Sequence, residues 1–283
     1  MRIGMNLMLW TFNPSYDEHG ELLDRLKGFG YDAFEIGIGE LSGPNIRRFA
    51  ARAVELDLEP QAVDLFPVTV GDMISSDPAM RRAALDRLIV GVHKARDLGA
   101  KVFSGPFFQG LNSTTSIGPT DQERAWAVEG LRRLGEEGQK CGGIRIAVEP
   151  LNRFEMHIAN TIAQAYALCE KAGLENVGIL ADTHHGNIEE LDIVKSYTSH
   201  IDRIFNIHIS ENNRGIPGSG HGIPPALFQA LKHAGYQGNL IIEAFNANVK
   251  EVLPLLRIWT PFADSEDEIA RQGLKYIREN LEG

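Results

Sequence analysis

The sequence contains little cysteine and no surplus of basic residues, and both facts exclude classes of protein. Its only cysteines, Cys141 and Cys169, are too few among 283 residues for a disulfide framework, and neither has the spacing of a metal-binding motif. Lysine and arginine number 28 against 38 acidic residues, and the net charge of −10 is unfavourable for binding nucleic acid. We therefore expect reduced thiols, a cytoplasmic protein and no nucleic-acid partner.

Long apolar segments and nucleotide-binding turns are also missing. No stretch approaches the about 18 unbroken apolar residues of a membrane span, and the first residues lack the pattern of a signal peptide. No Gly-x-Gly-x-x-Gly turn follows the first strand-like segment, so the nucleotide-binding form of an open α/β sheet lacks its signature. These absences predict no membrane partner and favour a closed sheet over an open one.

Short apolar segments alternate with longer amphipathic segments along the chain. Several of the short segments are continuously apolar, which is typical of strands buried on both faces of a parallel sheet. We predict strands near Ile3–Leu9, Ala33–Ile38, Glu59–Val63, Lys101–Ser104, Ile144–Val148, Val177–Ala181, Ile204–Ile209 and Asn239–Ile242. We predict helices at Asp17–Gly28, Pro44–Asp57, Pro78–Leu98, Asp121–Lys140, Ala163–Lys171, Ile188–Ser199, Pro225–Ala234 and Asp264–Leu281. This alternation predicts an α/β fold, a (β/α)₈ TIM barrel, as one domain covering residues 1–283.

The last four predicted strands each lead into a side chain that can bind a metal ion. These side chains are Glu149, Asp182, His208 and Glu243, separated by 33, 26 and 35 positions, and each gap is about one strand–helix unit. In a parallel barrel the carboxyl ends of the strands converge at one mouth. The pattern therefore predicts that the four side chains meet there.

Three carboxylates gathered in a poorly solvated site repel one another, and a divalent cation would relieve that repulsion. Oxygen donors with one imidazole suit Mn²⁺, Mg²⁺ or Co²⁺ better than a thiolate-binding metal. Each residue alone has a simpler interpretation, because Asp182 is also a suitable helix cap and an isolated histidine is usually part of the core. A metal-binding type of side chain at four consecutive strand ends favours a metal site over these separate interpretations.

The same residues carry a resemblance to a known family. The segments Glu149–Glu155, Asp182–Glu190 and His208–Gly215 resemble those of ketose 3-epimerases of the tagatose, allulose and ribulose type, within the xylose-isomerase-like barrel superfamily. The resemblance extends from Ile3 to the final helix. It implies that Glu149, Asp182, His208 and Glu243 bind one divalent metal ion, Mn²⁺ first, with Co²⁺ or Mg²⁺ as alternatives. It also implies that the two glutamates of this set form the catalytic acid/base pair.

The resemblance further implies that Glu155, His185 and Arg214 hold the substrate oxygens near C1 to C3. The implied reaction is epimerisation at C3 of a free ketose (tagatose/sorbose, fructose/allulose or ribulose/xylulose) through a cis-enediolate, because a metal bound to the sugar oxygens stabilises that intermediate. Taken without the motif, Arg214 is equally consistent with an exposed loop residue, Glu155 with a partner of Arg153, and His185 with the start of a helix.

Several positions depart from the family pattern and leave alternatives open. His184, Gly186 and Ser210 stand where Phe, Met and Gly are usual, and the segment Ser219–Ile223 differs from the usual loop. The glycine-rich segment 215–222 could supply the N–H cradle that a phosphate substrate would need. The alternatives on the same barrel are epimerisation of a ketose phosphate, hydroxypyruvate isomerisation, inosose dehydration and aldose–ketose isomerisation. More distant ones are an apurinic-site endonuclease, which the acidic charge disfavours, and a non-catalytic sugar-binding barrel. The resemblance also implies a homodimer or homotetramer.

Overall fold

Eight parallel strands form a closed barrel, as the alternation of segments predicts. A computed structural model describes residues 1–111, 113, 115–250 and 253–283. The strands are β1 (Arg2–Asn6), β2 (Ala33–Gly37), β3 (Glu59–Val63), β4 (Val102–Gly105), β5 (Arg145–Val148), β6 (Val177–Asp182), β7 (Ile204–Ile209) and β8 (Asn239–Ile242). They follow one another around the barrel in chain order, and β8 closes it by pairing with β1, with Met5 opposite Ile242.

Helices connect and flank the strands of this barrel, several of them with buried apolar side chains. They are α1 (Tyr16–His19), α2 (Glu21–Phe29), α3 (Gly43–Leu56), α4 (Pro78–Leu98), α5 (Asp121–Lys140), α6 (Ile162–Ala172), α7 (Thr183–Glu189), α8 (Ile193–Ser199), α9 (Ala226–His233), α10 (Leu253–Leu256) and α11 (Glu266–Glu282). Among the described residues, no helix is both long enough and apolar enough to cross a membrane.

Local sequence signals set the ends of these elements. The Thr120 hydroxyl caps the start of α5 and Glu123 returns a hydrogen bond to the Thr120 amide, so two otherwise unpaired N–H groups are satisfied. At the end of α4, Gly99 adopts φ 83° and its N–H bonds back to the last turn, a conformation that glycine adopts without a steric cost. Strand β6 is buried at all six positions, which agrees with the continuous apolar segment Val177–Ala181. Strand β7 is equally buried although it carries the polar Asn206 and His208.

Three predicted elements differ from the structure. The helix predicted over Asp17–Gly28 is two helices, α1 and α2, which meet at Gly20. The first strand ends at Asn6 rather than at Leu9, because the Asn6 side chain accepts the N–H of Met8 and starts a 3₁₀ turn over Leu7–Leu9. The helix predicted over Ile188–Ser199 is two helices, α7 and α8. Glu190 lies between them in an extended conformation, and its carboxylate accepts the N–H of Ile162 at the start of α6.

Candidate metal centre and active site

The four residues predicted at the strand ends come together at the carboxyl-terminal mouth of the barrel. Asp182 and His208 are in β6 and β7, while Glu149 and Glu243 directly follow β5 and β8. One donor atom from each lies within 4.8 Å of the other three. From Nδ1 of His208, the nearest carboxylate oxygens are at 3.5 Å (Glu243), 3.7 Å (Asp182) and 3.9 Å (Glu149). The topology of the barrel thus brings three acids from three strands around one imidazole nitrogen.

The hydrogen bonds of His208 show that these four residues fit a metal ion. Its Nε2 lies 2.8 Å from Oε2 of Glu35, an acceptor, so Nε2 carries the proton and Nδ1 presents a lone pair. That Nδ1 is buried and has no hydrogen-bond partner. A cation about 2.0–2.2 Å from each donor would hold the donors at about the separations observed. The residues therefore can hold a divalent ion.

Burial, together with the charges of the carboxylates, the imidazole and the nearby arginine, shifts the pKa values of Glu149, Asp182 and His208. Burial, and then the charge of Glu243, raise the pKa of Glu149 well above its usual value. Burial has the same effect on Asp182, but Arg214, His208 and His185 outweigh it and hold the pKa of Asp182 well below its usual value. Burial lowers the pKa of His208, but the charges of Glu35 and Glu243 prevail and raise it well above its usual value. A cation at Nδ1, whether a metal ion or a proton, is thus stabilised.

Glu35 is a functional residue that the sequence analysis missed. It lies fully buried in β2, where Asn6 donates to its Oε2 at 2.7 Å and the Ser104 hydroxyl donates to its Oε1 at 3.1 Å. These contacts fix the carboxylate that in turn fixes His208, an arrangement typical of histidines that bind metals. The sequence did carry a signal for Glu35, because it is an acidic residue between Phe34 and Ile36 in a strand predicted to be buried.

Asp182 has two tasks, and both interpretations of it from the sequence describe real contacts. Its Oδ1 accepts the N–H groups of His184 at 2.6 Å and His185 at 3.1 Å, which caps the start of α7. Its Oδ2 faces Nδ1 of His208 and accepts from Arg214 at 3.1 Å. The cap fixes the rotamer that directs the second oxygen into the centre.

Arg214 is buried beside the centre rather than exposed in a loop. Its Nη1 donates to Glu243 at 2.5 Å and to the Ser210 hydroxyl at 2.9 Å, in addition to Asp182. Its backbone has φ 65°, and its carbonyl accepts the N–H of Phe245 at 2.7 Å. This strained conformation, held by a contact after β8, places the guanidinium next to the carboxylates.

His185 lines the cavity with a donor facing each of its ring nitrogens. The backbone N–H of Asn152 lies 3.1 Å from Nδ1. Burial, and then the nearby charge of Arg214, hold the pKa of His185 well below its usual value, which keeps the ring neutral. Nη2 of Arg214, which can only donate, lies 2.9 Å from Nε2. A neutral ring accepts at only one nitrogen, so an oxygen of a bound molecule would relieve this crowding of donors by accepting from Arg214.

Glu155 lines the same cavity, and the pairing with Arg153 considered from the sequence is wrong. Oε1 of Glu155 accepts from the Asn152 side chain at 2.7 Å, whereas Arg153 forms its salt bridge with Glu189 at 2.8 Å. His184 also faces the cavity, and burial, followed by the charge of Arg214, lowers its pKa to about 4.

The cavity above the centre has a volume of about 700 Å³ and an apolar outer part. The 3₁₀ turn contributes Met8 to the cavity wall, while the indole N–H of Trp10 donates to Asp267. The outer wall includes Phe12, Leu151, Phe154, Phe245, Trp259 and Phe262.

The glycine-rich segment 215–222 is folded around a buried carboxylate that the sequence analysis also missed. Glu211 is fully buried and accepts the N–H groups of Asn212 at 2.9 Å, Gly218 at 3.0 Å and Gly222 at 2.5 Å. The N–H of His221 donates to the Asn212 side chain at 3.0 Å. These amide groups are occupied, so they do not form a cradle for a phosphate group.

Comparisons with known proteins agree with this geometry. The family described as xylose isomerase-like TIM barrel matches residues 23–280. A probable ketose 3-epimerase of Synechocystis sp. is 30% identical over 282 residues, covering 100% of this chain and 97% of that protein. A solved structure of an L-ribulose 3-epimerase has a TM-score of 0.92 at 28% identity, covering 99% of this chain and 94% of the other. A D-allulose 3-epimerase from Methylomonas sp., solved in complex with D-allulose, has a TM-score of 0.90 at 25% identity, covering 99% and 97%.

Proposed function

Since the chain belongs to the xylose isomerase-like TIM barrel family and, within it, to the ketose 3-epimerases, we propose that it catalyses the metal-dependent epimerisation of free ketoses at C3. The observation that carries the proposal is the buried, unpartnered Nδ1 of His208 with three carboxylates around it. A similar relative that has been solved with D-allulose supports the substrate class.

The reaction requires removal of a weakly acidic proton from a carbon next to a carbonyl group. A divalent metal ion held by Glu149, Asp182, His208 and Glu243 would act as a Lewis acid toward the substrate oxygens. Glu149 and Glu243 approach the centre from β5 and β8, so we assign them as the acid/base pair on the two faces of the sugar.

The remaining groups bind and orient the substrate. We assign Arg214 and the adjacent His185 to a substrate oxygen, because both side chains line the cavity and the guanidinium can only donate. Glu155 would accept a hydroxyl hydrogen near C1 to C3 from its position in the cavity wall. The occupied amide groups of the 215–222 segment support a substrate without a phosphate group.

Four finer statements belong to the same proposal. The oxygen-rich donor set supports Mn²⁺, with Co²⁺ or Mg²⁺ as alternatives. Trp259 and Phe154, 70% and 77% exposed, support a homodimer or homotetramer in which such surfaces are covered. The net charge of −10 supports the absence of a nucleic-acid partner. The two free thiols support a cytoplasmic location.

The test is an assay of the metal-stripped protein on free ketoses. Chelated protein is given Mn²⁺, Co²⁺ or Mg²⁺ separately, and fructose, allulose, tagatose, sorbose, ribulose and xylulose are followed by chromatography. We expect interconversion of at least one C3 pair after metal is restored. Inert free ketoses together with turnover of a ketose phosphate, hydroxypyruvate or an inosose would replace the proposal with that activity.

The variant Glu243→Gln tests the acid/base assignment. It keeps the side-chain shape but removes a charge and a proton carrier, so epimerisation should be abolished while the fold remains intact. The matched control is Glu170→Gln, whose exposed carboxylate pairs with Arg203 far from the mouth and should leave turnover unchanged. Near-normal turnover of Glu243→Gln would remove this residue from the mechanism.

A further inference from the structure

A second group of metal-binding side chains lies at the opposite end of the barrel. His93 is near the end of α4, Glu137 is near the end of α5, and Cys141 directly follows α5. One donor atom from each lies within 4.8 Å of the others. Both helices lead there into the starts of β4 and β5, so this group is remote from the catalytic mouth.

The distances within this group are close to those of a bound ion. Sγ of Cys141 lies 3.4 Å from Nδ1 of His93 and 3.9 Å from Oε1 of Glu137. A tetrahedral ion with bonds of about 2.0–2.3 Å would place such donors about 3.4–3.6 Å apart. Oε1 of Glu137 lies 3.0 Å from Nε2, the other ring nitrogen of His93, and a single ion binds only one of the two nitrogens. A rotation of the imidazole away from this contact, with small movements of the other two side chains, would enclose an ion.

The donor types indicate which ion this would be. We propose that His93, Glu137 and Cys141 bind a zinc-class divalent ion, with water completing the coordination. A thiolate and an imidazole favour zinc, cadmium or cobalt over magnesium or calcium, and the thiolate and carboxylate balance the double charge. This set contains sulfur, whereas the set at the catalytic mouth contains only oxygen and nitrogen donors.

The surroundings allow an ion to enter. The side chain of His93 is 42% exposed, while Cys141 is buried against the helix ends. Nη1 of Arg96 approaches Nδ1 of His93 at 3.4 Å, but this arginine is half exposed and paired with Asp97, so it can turn outward. A bound ion would connect the end of α4 to the end of α5 and would stabilise the fold without taking part in turnover.

Cobalt provides a test because only a thiolate ligand gives a near-ultraviolet charge-transfer band. Chelated protein is first saturated with Mn²⁺ and then titrated with Co²⁺. We expect the band to reach its maximum within two equivalents of cobalt in the unchanged protein, because cobalt also binds at the catalytic mouth. The band should be absent in Cys141→Ser and should require at least tenfold more cobalt in His93→Ala. Zn²⁺ added to the manganese-loaded protein should raise the melting temperature of the unchanged protein and not that of Cys141→Ser.

The second cysteine supplies the control. Cys169 is buried, its thiol donates to the carbonyl of Gly178, and burial raises its pKa to about 12, so Cys169→Ser should keep the cobalt band. Absence of the band in the unchanged protein, its persistence in Cys141→Ser, or its appearance only with a large excess of cobalt would overturn the proposal. Ketose turnover measured on the same samples reports separately on the catalytic site.

Discussion

Nε2 of His208 lies 2.8 Å from Oε2 of Glu35, and both side chains are fully buried inside the barrel. This contact determines which imidazole nitrogen carries the proton, and it directs the lone pair of Nδ1 toward the three carboxylates. The histidine is a competent metal ligand because a residue 173 positions earlier holds its tautomer.

Changes at Glu35 should therefore weaken metal binding without touching a ligand. We expect Glu35→Ala to raise the metal dissociation constant by about 10–100-fold, and Glu35→Gln to have a smaller effect because its amide oxygen can still accept from Nε2. Calorimetric titration with Mn²⁺ measures both. Ser104→Ala removes a hydrogen bond to the other oxygen of Glu35 and should raise the metal dissociation constant by even less. Equal affinities in all variants would show that Glu35 does not position the ligand.

Asp182→Asn should separate the capping task from the metal-binding task. Asparagine caps helices about as well as aspartate, so α7 should keep its start and unfolding should remain cooperative. The loss of a charged ligand should weaken metal binding by more than about 100-fold, beyond the effect of removing an outer partner. Asp192→Asn makes the same change at the cap of α8, away from the centre, and should bind metal normally. Tight metal binding by Asp182→Asn would exclude it as a ligand.

Arg214→Ala should impair substrate handling while metal binding is retained or strengthened. The guanidinium repels a cation at the centre, so its removal does not reduce affinity for the metal. Loss of the donor beside His185 should lower kcat/KM by roughly 10²–10³-fold. The exposed Arg48, paired with Asp17, supplies the control Arg48→Ala. Loss of bound metal in Arg214→Ala would mean that the role assigned to this residue is wrong.

Metal affinity should increase with pH. The pKa values of Glu149 and His208 are both raised, the first chiefly by burial and the second by Glu35 and Glu243 against the effect of burial. In the metal-free protein these groups hold protons at pH values where free side chains have lost them, so binding a metal must release protons. Metal affinity should begin to rise at a pH near the ordinary pKa of a carboxyl group. It should level off at a pH above the raised pKa values of Glu149 and His208. Calorimetry in two buffers of different ionisation enthalpy counts the released protons, and a count of zero below those values would contradict this expectation.

Much of the architecture followed from local patterns. Continuous apolar segments such as Val177–Ala181 predicted buried parallel strands, and the alternation with helices predicted the barrel, which the structure confirms. The errors were at Gly20, where one predicted helix is two, and at Leu7–Leu9 and Glu190, where a side chain accepts a backbone N–H. Whether a side chain accepts a nearby N–H depends on its rotamer, which the apolar pattern does not encode.

The sequence by itself determined that four strand ends carry Glu149, Asp182, His208 and Glu243, because strand topology alone brings consecutive carboxyl ends to one mouth. Only the tertiary structure decided that Glu35 fixes His208, that Arg214 is buried against the acids, and that Glu211 occupies the amide groups of the 215–222 segment. Periodicity reports whether a segment is buried, whereas these contacts depend on strand register and side-chain direction between residues far apart in the chain. Those are fixed only when the whole barrel closes.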